Sequence, residues 1–219
     1  MSLALGNSIM QFGANLMRKI GWLCFALVYI SLLAITACAD PIITFEGFPD
    51  STLLTNQYPG LTFSNTIILS AGISLNEFEF PPFSGVNVAS DNGGPISIAF
   101  GSPVLSLGGY FTYSELLTLQ AFDASDNLVA SVTSAFANNE ALSGDPGSTP
   151  NEFLAVSFPS GIAFAIITAD PLGGSFALDD LTYTPVTTAI PEPTSVVLFL
   201  SVVLHKNLTG PAYSLGFIE

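Results

Sequence analysis

The sequence predicts an all-β fold, an antiparallel β-sandwich of jelly-roll type over residues 40–184, on three observations. Short β-prone segments recur at close spacing, and Gly, Pro, Asn and Asp separate them. No ten-residue stretch after Asp40 carries a helical apolar stripe with charge opposite. Strands without intervening helices bury their apolar faces against one another, and a sandwich is the outcome.

Taken in order, the expected strands are IITFE (42–46), LTFS (61–64), TIILS (66–70), VNVAS (86–90), ISIAF (96–100) and GGYFTYS (108–114). They continue with LLTLQAFD (116–123), LVASVTSAF (128–136), FLAVSF (153–158), IAFAIITA (162–169) and FALDDLTYT (176–184). Several alternate apolar with small or polar residues, as strands with one buried face do. Ser125-Asp126-Asn127 joins two of them as a polar turn, which predicts a hairpin. Residues 133–152 dissolve into a Gly/Pro/Ser loop, and residues 185–190 form a Pro/Thr linker.

Charge narrows the function. Three Lys and Arg stand against 17 Asp and Glu, a net charge of −14, and no Lys or Arg lies between Ile20 and His205. Such a body repels phosphate backbones, so nucleic acid is excluded as a partner. It also opposes docking on anionic lipid, which leaves membrane contact to the chain ends.

At the first end, Arg18-Lys19 precedes the apolar run 20–35 and then Ala37-Cys38-Ala39. A basic region, an apolar core and small residues at the cleavage site make residues 1–39 a signal peptide with a signal helix, cut between Ala39 and Asp40 by a signal peptidase of the secretion machinery. Met17 is then a candidate natural start, with residues 1–16 surplus. Two other readings stand beside this one. An uncleaved anchor would need about 20 apolar residues, and Ile35-Thr36-Ala37-Cys38 also resembles a lipobox with Cys38 as the acylated residue. Cys24 and Cys38 are the two cysteines, so cleavage after Ala39 leaves no thiol for catalysis, disulfides or zinc.

At the other end, Pro191-Glu192-Pro193 precedes a short apolar helix over 194–204 and the lone basic Lys206. Together with the export signal, this resembles the PEP-CTERM sorting signal of exported bacterial proteins. The stretches FEGFPDSTLLTNQYPGLTFSN, PPFSGVNVASDNGGPISIAF, GGYFTY, LTLQAFDASDNLV and FALDDLTY look like the body typical of such proteins. The resemblance implies transient inner-membrane anchoring, processing by an exosortase-type enzyme, and residence at the cell surface or in an exopolysaccharide matrix. The tail, residues 191–219, departs from the pattern: its apolar run would make a helix of about 16 Å, against a bilayer core of about 30 Å. A single Lys206 stands where the family has a cluster of Arg. Asn207-Leu208-Thr209 reads as a chance sequon.

Catalytic chemistry is scarce. His205 is the single His and lies in the tail, which rules out Ser-His-Asp triads and multi-histidine metal sites in the body. Without Lys in the body, Schiff-base chemistry falls too. Carboxylates alone could serve glycoside hydrolysis, which needs a pair flanking the bond, but nothing in the spacing of Glu46, Glu77, Glu79, Glu115, Glu140 and Glu152 selects one.

The FALDDLTYT strand raises a different question. Alternation puts Ala177, Asp179 and Leu181 on one face and Leu178, Asp180 and Thr182 on the other, so one aspartate is expected to be buried. The body also looks like a jelly-roll carbohydrate-binding module. That resemblance implies a structural Ca²⁺ at Glu46 and Asp180, helped by Asp179 and Asp50; the alternative is backbone NH donors as the partners of these acids. For sugar stacking, the candidate aromatics are Tyr58, Phe83, Tyr110 and Tyr113. The expectation is therefore a non-catalytic, exported surface or matrix protein that binds exopolysaccharide. A purely structural or adhesive protein and a carboxylate-based glycan hydrolase are the alternatives.

Overall fold

A computed structural model describes residues 40–186. The chain divides into two compact units, Met1–Asp40 and Pro41–Glu219, and the described residues belong almost wholly to the second. The signal segment with Ala37, Cys38 and Ala39, the tail with Pro191, Glu192 and Pro193, and both expected terminal helices lie outside the described residues.

Among the described residues ten strands form, each paired antiparallel: β1 Ile42–Ile43, β2 Leu53–Leu54, β3 Leu61–Ser64, β4 Thr66–Ser70, β5 Asn87–Asp91, β6 Ile96–Tyr113, β7 Thr118–Phe122, β8 Leu128–Thr133, β9 Glu152–Thr168 and β10 Phe176–Pro185. Their hydrogen-bonded path runs β2-β4-β5-β10-β6-β9-β7-β8, with β1 on β10 and β3 on β6. The expected all-β antiparallel sandwich is the fold of the described residues, with the hairpin at Asp126 in place between β7 and β8. Asp126 takes a left-handed φ of +62° there, and the Asp123 carboxylate accepts hydrogen bonds from the amides of Ser125 and Asn127.

Two strands each join two of the expected ones, β6 running for 18 residues and β9 for 17. Gly101-Ser102-Pro103 and Pro159-Ser160-Gly161 read as turns, yet each is a bend inside one continuous strand. From Ala99 to Val104, β6 advances five residues while β9 moves two, from Phe164 to Ile162. From Val104 to Ser106 the relation reverses, with β9 running from Ile162 to Ser157. The two irregularities cancel, so the register is the same on both sides. Gly161 makes the bend feasible: its φ is +104°, and a Cβ there would lie 2.9 Å from the Pro103 Cβ.

The bends fold the sheet into two layers. One contains β4, β5, β10 and the 104–113 and 152–157 halves of β6 and β9; the other contains β3, β7, β8 and the remaining halves. Leu107, Phe111, Leu154 and Leu178 of the first layer share one core with Phe63, Ile98, Leu119 and Ile167 of the second. Each such side chain contributes roughly 1.5–3 kcal/mol on burial.

The alternation expected for β10 breaks at a bulge. Asp179 pairs with Tyr110, but the next pair is Thr182 with Gly108, so β10 holds one extra residue. Asp180 is left-handed there, at φ +44°. An extra residue reverses the facing of the rest of the strand, and Leu181 joins Phe176 and Leu178 in the core instead of lying with Ala177 and Asp179. Ala177 belongs to a small separate cluster with Leu75 and Val88, against which Leu69, Ala71 and Phe80 pack. The segment between β4 and β5, residues 71–86, thus covers part of the outer face of the first layer.

Candidate functional site

One row of that outer face is chemically distinctive. Tyr110, on β6, is the cross-strand partner of both Asp179 on β10 and Phe153 on β9. From the covering segment, the Phe83 ring lies flat on Tyr110, with centroids 3.5 Å apart and planes 7° apart. The Phe153 ring lies 5.1 Å from Tyr110, tilted by 55°. Phe83 is 46% exposed and Phe153 49%. Three contiguous rings therefore form a platform open to solvent.

The covering segment is held there by acids. Asp179, 1% exposed, accepts a 2.8 Å hydrogen bond from the Ser84 amide and a 2.7 Å bond from the Asp180 amide. Asp180 accepts from the Ser84 hydroxyl at 2.7 Å. Glu46 Oε1 accepts from the amides of Val86 and Asn87 at 2.7 and 2.8 Å. Gly85 lies between these bonds, and a Cβ on it would collide with Glu46 Oε1. Asp50, in contrast, clamps a neighbouring turn, accepting from the Ser70 amide and the hydroxyls of Ser74 and Ser51.

Glu46, Asp179 and Asp180 thus meet on one segment, where they accept from backbone amides and a hydroxyl. Among the described residues, no group of three or more His, Cys, Asp or Glu side chains is placed to hold a metal ion. Burial pushes the Asp179 carboxyl up to about 6, opposed by the Ser84 and Asp180 amides and reinforced by the Asp180 charge.

The four candidate aromatics separate into two pairs. Phe83 and Tyr110 come together in the platform. Tyr58 instead packs edge-on against Phe45 and Phe48, and burial pushes its hydroxyl up to about 12. Tyr113 is fully buried and donates its hydroxyl to the Glu152 carboxylate; burial first, then Glu152, push it to about 12. Phe153 is a platform ring that the sequence reading does not single out. Its signal is its place in FLAVSF, where Phe153, Ala155 and Ser157 alternate with the core residues Leu154 and Val156.

Two further aromatic pairs lie elsewhere. Phe122 and Phe164 stack across β7 and β9, 4.8 Å apart with planes at 3°. Phe100 and Tyr183 line a hollow of about 410 Å³ beside the β6 bend, together with Pro103 and Pro185.

No family model and no curated protein matches the chain. Among solved structures, the chain is similar to a xylan-binding domain of CBM 22, at 13% identity over 71% of this chain and all of that one, with a TM-score of 0.38. It is also similar to TmCBM61 in complex with β-1,4-galactotriose, at 12% identity over 59% of this chain and 91% of that one, with a TM-score of 0.36. A third is the enzymatically active domain of bacteriophage CBA120 tailspike protein 4, at 16% identity over 63% of this chain and 21% of that one, with a TM-score of 0.30. Likeness of this degree assigns neither ligand nor activity to the chain.

Proposed function

We propose that this protein is an exported, non-catalytic component of the cell surface or extracellular matrix that binds exopolysaccharide through Phe83, Tyr110 and Phe153. The observation that carries the reading is the exposed three-ring platform, whose outer rings present flat apolar surface to the faces of sugar rings. Immobilising the rings beforehand lowers the entropy lost on binding. In this reading, a signal peptidase releases the chain at Asp40, and Pro191-Glu192-Pro193 directs it to an exosortase-type enzyme after transient contact with the inner membrane.

The test is binding of the full chain to the producer's own exopolysaccharide, beside Phe83→Ala and Phe153→Ala. Loss of one exposed anchor ring is expected to weaken binding by about 1–2 kcal/mol, roughly 5- to 30-fold. Undiminished binding by both variants would remove the platform from the mechanism. Release of reducing sugar ends by the wild-type chain would replace the binding role with hydrolysis.

A further inference from the structure

Next to Phe83 the covering segment is held by three carboxylates, with the Asn151 side-chain amide on the Pro81 carbonyl as a further, uncharged tie. The Ser84 amide that Asp179 holds belongs to the peptide bond shared with Phe83, so that bond sets the plane from which the Phe83 ring projects. Asp180 and Glu46 hold the next residues, Ser84 by its hydroxyl and Val86 and Asn87 by their amides. No Lys, Arg or His lies between Lys19 and His205, so no basic side chain of the described residues offsets these three carboxylates. Glu46 is exposed and Asp180 half-buried, which lets their field reach a ligand resting on Phe83.

We propose that the platform takes uncharged sugar units and turns away units bearing carboxylate or sulfate. This rests on the glycan-binding reading and adds its ligand class. The carboxylates are already committed to the amides and the Ser84 hydroxyl that keep Phe83 against Tyr110. They cannot be moved aside for an anionic ligand without releasing the ring, so placement of the ring and exclusion of anions come from one set of atoms. Neutral glycans meet no such penalty, because stacking on Phe83 and Phe153 involves no net charge.

The experiment uses the full chain and three forms of the host's exopolysaccharide: as isolated, with its uronate carboxyls reduced to alcohols, and with its neutral units oxidised to uronates at C6. Expected is binding to the reduced form at least about 10-fold tighter than to the oxidised form at low salt, with the gap closing as salt screens the repulsion. Asp180→Asn retains an oxygen acceptor for Ser84 and removes one charge, so it should narrow the ratio between reduced-form and oxidised-form affinity. Glu46→Gln is the second variant should the first fail to fold. Equal or tighter binding of the oxidised form at low salt overturns the inference and leaves glycan binding standing, as does oxidised-form binding that appears with Ca²⁺ and disappears with chelator. Failure of every form to bind overturns the glycan-binding reading itself, and the ligand class with it.

Discussion

Ser84 and Asp179 lie 95 residues apart in sequence and are joined by a hydrogen bond from the Ser84 amide to a carboxylate that solvent barely reaches. A local consequence can be measured directly. In Asp179→Ala the Ser84 amide has lost its acceptor, at a cost of about 2 kcal/mol to the closed state of this segment. Its hydrogen exchange is therefore expected to quicken by roughly 30-fold. The Ser134 amide, bonded to the Leu117 carbonyl away from this segment, should be unchanged. Equal acceleration at both sites would mean that the carboxylate supports the whole fold and does not position Phe83.

Asp179 also gives stability a pH dependence of defined sign. Its carboxyl rises from 3.8 unfolded to about 6 folded, so between those values the folded chain keeps a proton that the unfolded chain has released. Stability attributable to this group is fully present below the unfolded value of 3.8 and is lost as pH rises from there through about 6. Hydrogen bonds lower Asp50 and Asp123 instead, from the Ser74 hydroxyl and the Asn127 side chain in first place, so their contributions fade as pH drops below the unfolded value. Comparing unfolding free energies of wild type and Asp179→Asn isolates the Asp179 part. The difference between them should change by roughly 2 kcal/mol from pH 4 to pH 7.5, with its midpoint near pH 5, between the unfolded and folded values. A difference that stays constant with pH would contradict the assignment.

The bend makes its own demand on Gly161. Gly161→Ala should cost about 2–3 kcal/mol, combining left-handed backbone strain with a collision against Pro103. Gly147→Ala is the natural comparison, since that φ is +89° with open space around it, and about 1 kcal/mol is expected. Urea midpoints of the two variants would separate strain from collision, and equal losses would show that the contact with Pro103 contributes nothing.

Asn139 offers a test of how the long loop before β9 is held. Fully buried, it accepts from the Tyr113 amide and donates to the carbonyls of Phe111 and Thr149. Asn139→Ala leaves those backbone groups without their partner, and a loss of roughly 2–4 kcal/mol is expected. Limited proteolysis should then cut within residues 134–151 first. A variant as stable and resistant as wild type would show that water replaces the amide there.

The strands β3 and β4 are legible to the residue, because alternation and flanking turn residues agree with what packing requires. At the bends they disagree. Gly-Ser-Pro and Pro-Ser-Gly are turn residues by local preference, and the pairing of β6 with β9 on either side of them keeps the strands continuous. The β10 bulge is hidden for a related reason: nothing in FALDDLTYT announces that Asp180 adopts φ +44°, so simple alternation assigns Leu181 to the wrong face. Phe83 and Tyr110 can be singled out as aromatics, but their contact depends on a crossing segment. Phe153 joins them through cross-strand register, which a single sequence does not carry. Glu46, Asp179 and Asp180 can be named from the sequence, but their meeting on residues 84–87 depends on the fold. Their partners are backbone amides and the Ser84 hydroxyl, the donors available in a body without basic side chains.

Because β6 and β9 each pass through both layers, neither layer has a boundary at which it could melt by itself. Heating should give a single transition in which calorimetric and van't Hoff enthalpies agree. The same continuity concentrates vulnerability. A protease that cut at the exposed Gly101–Pro103 bend would sever a strand common to both layers and release the body to degradation in one step, with no stable half-domain left behind.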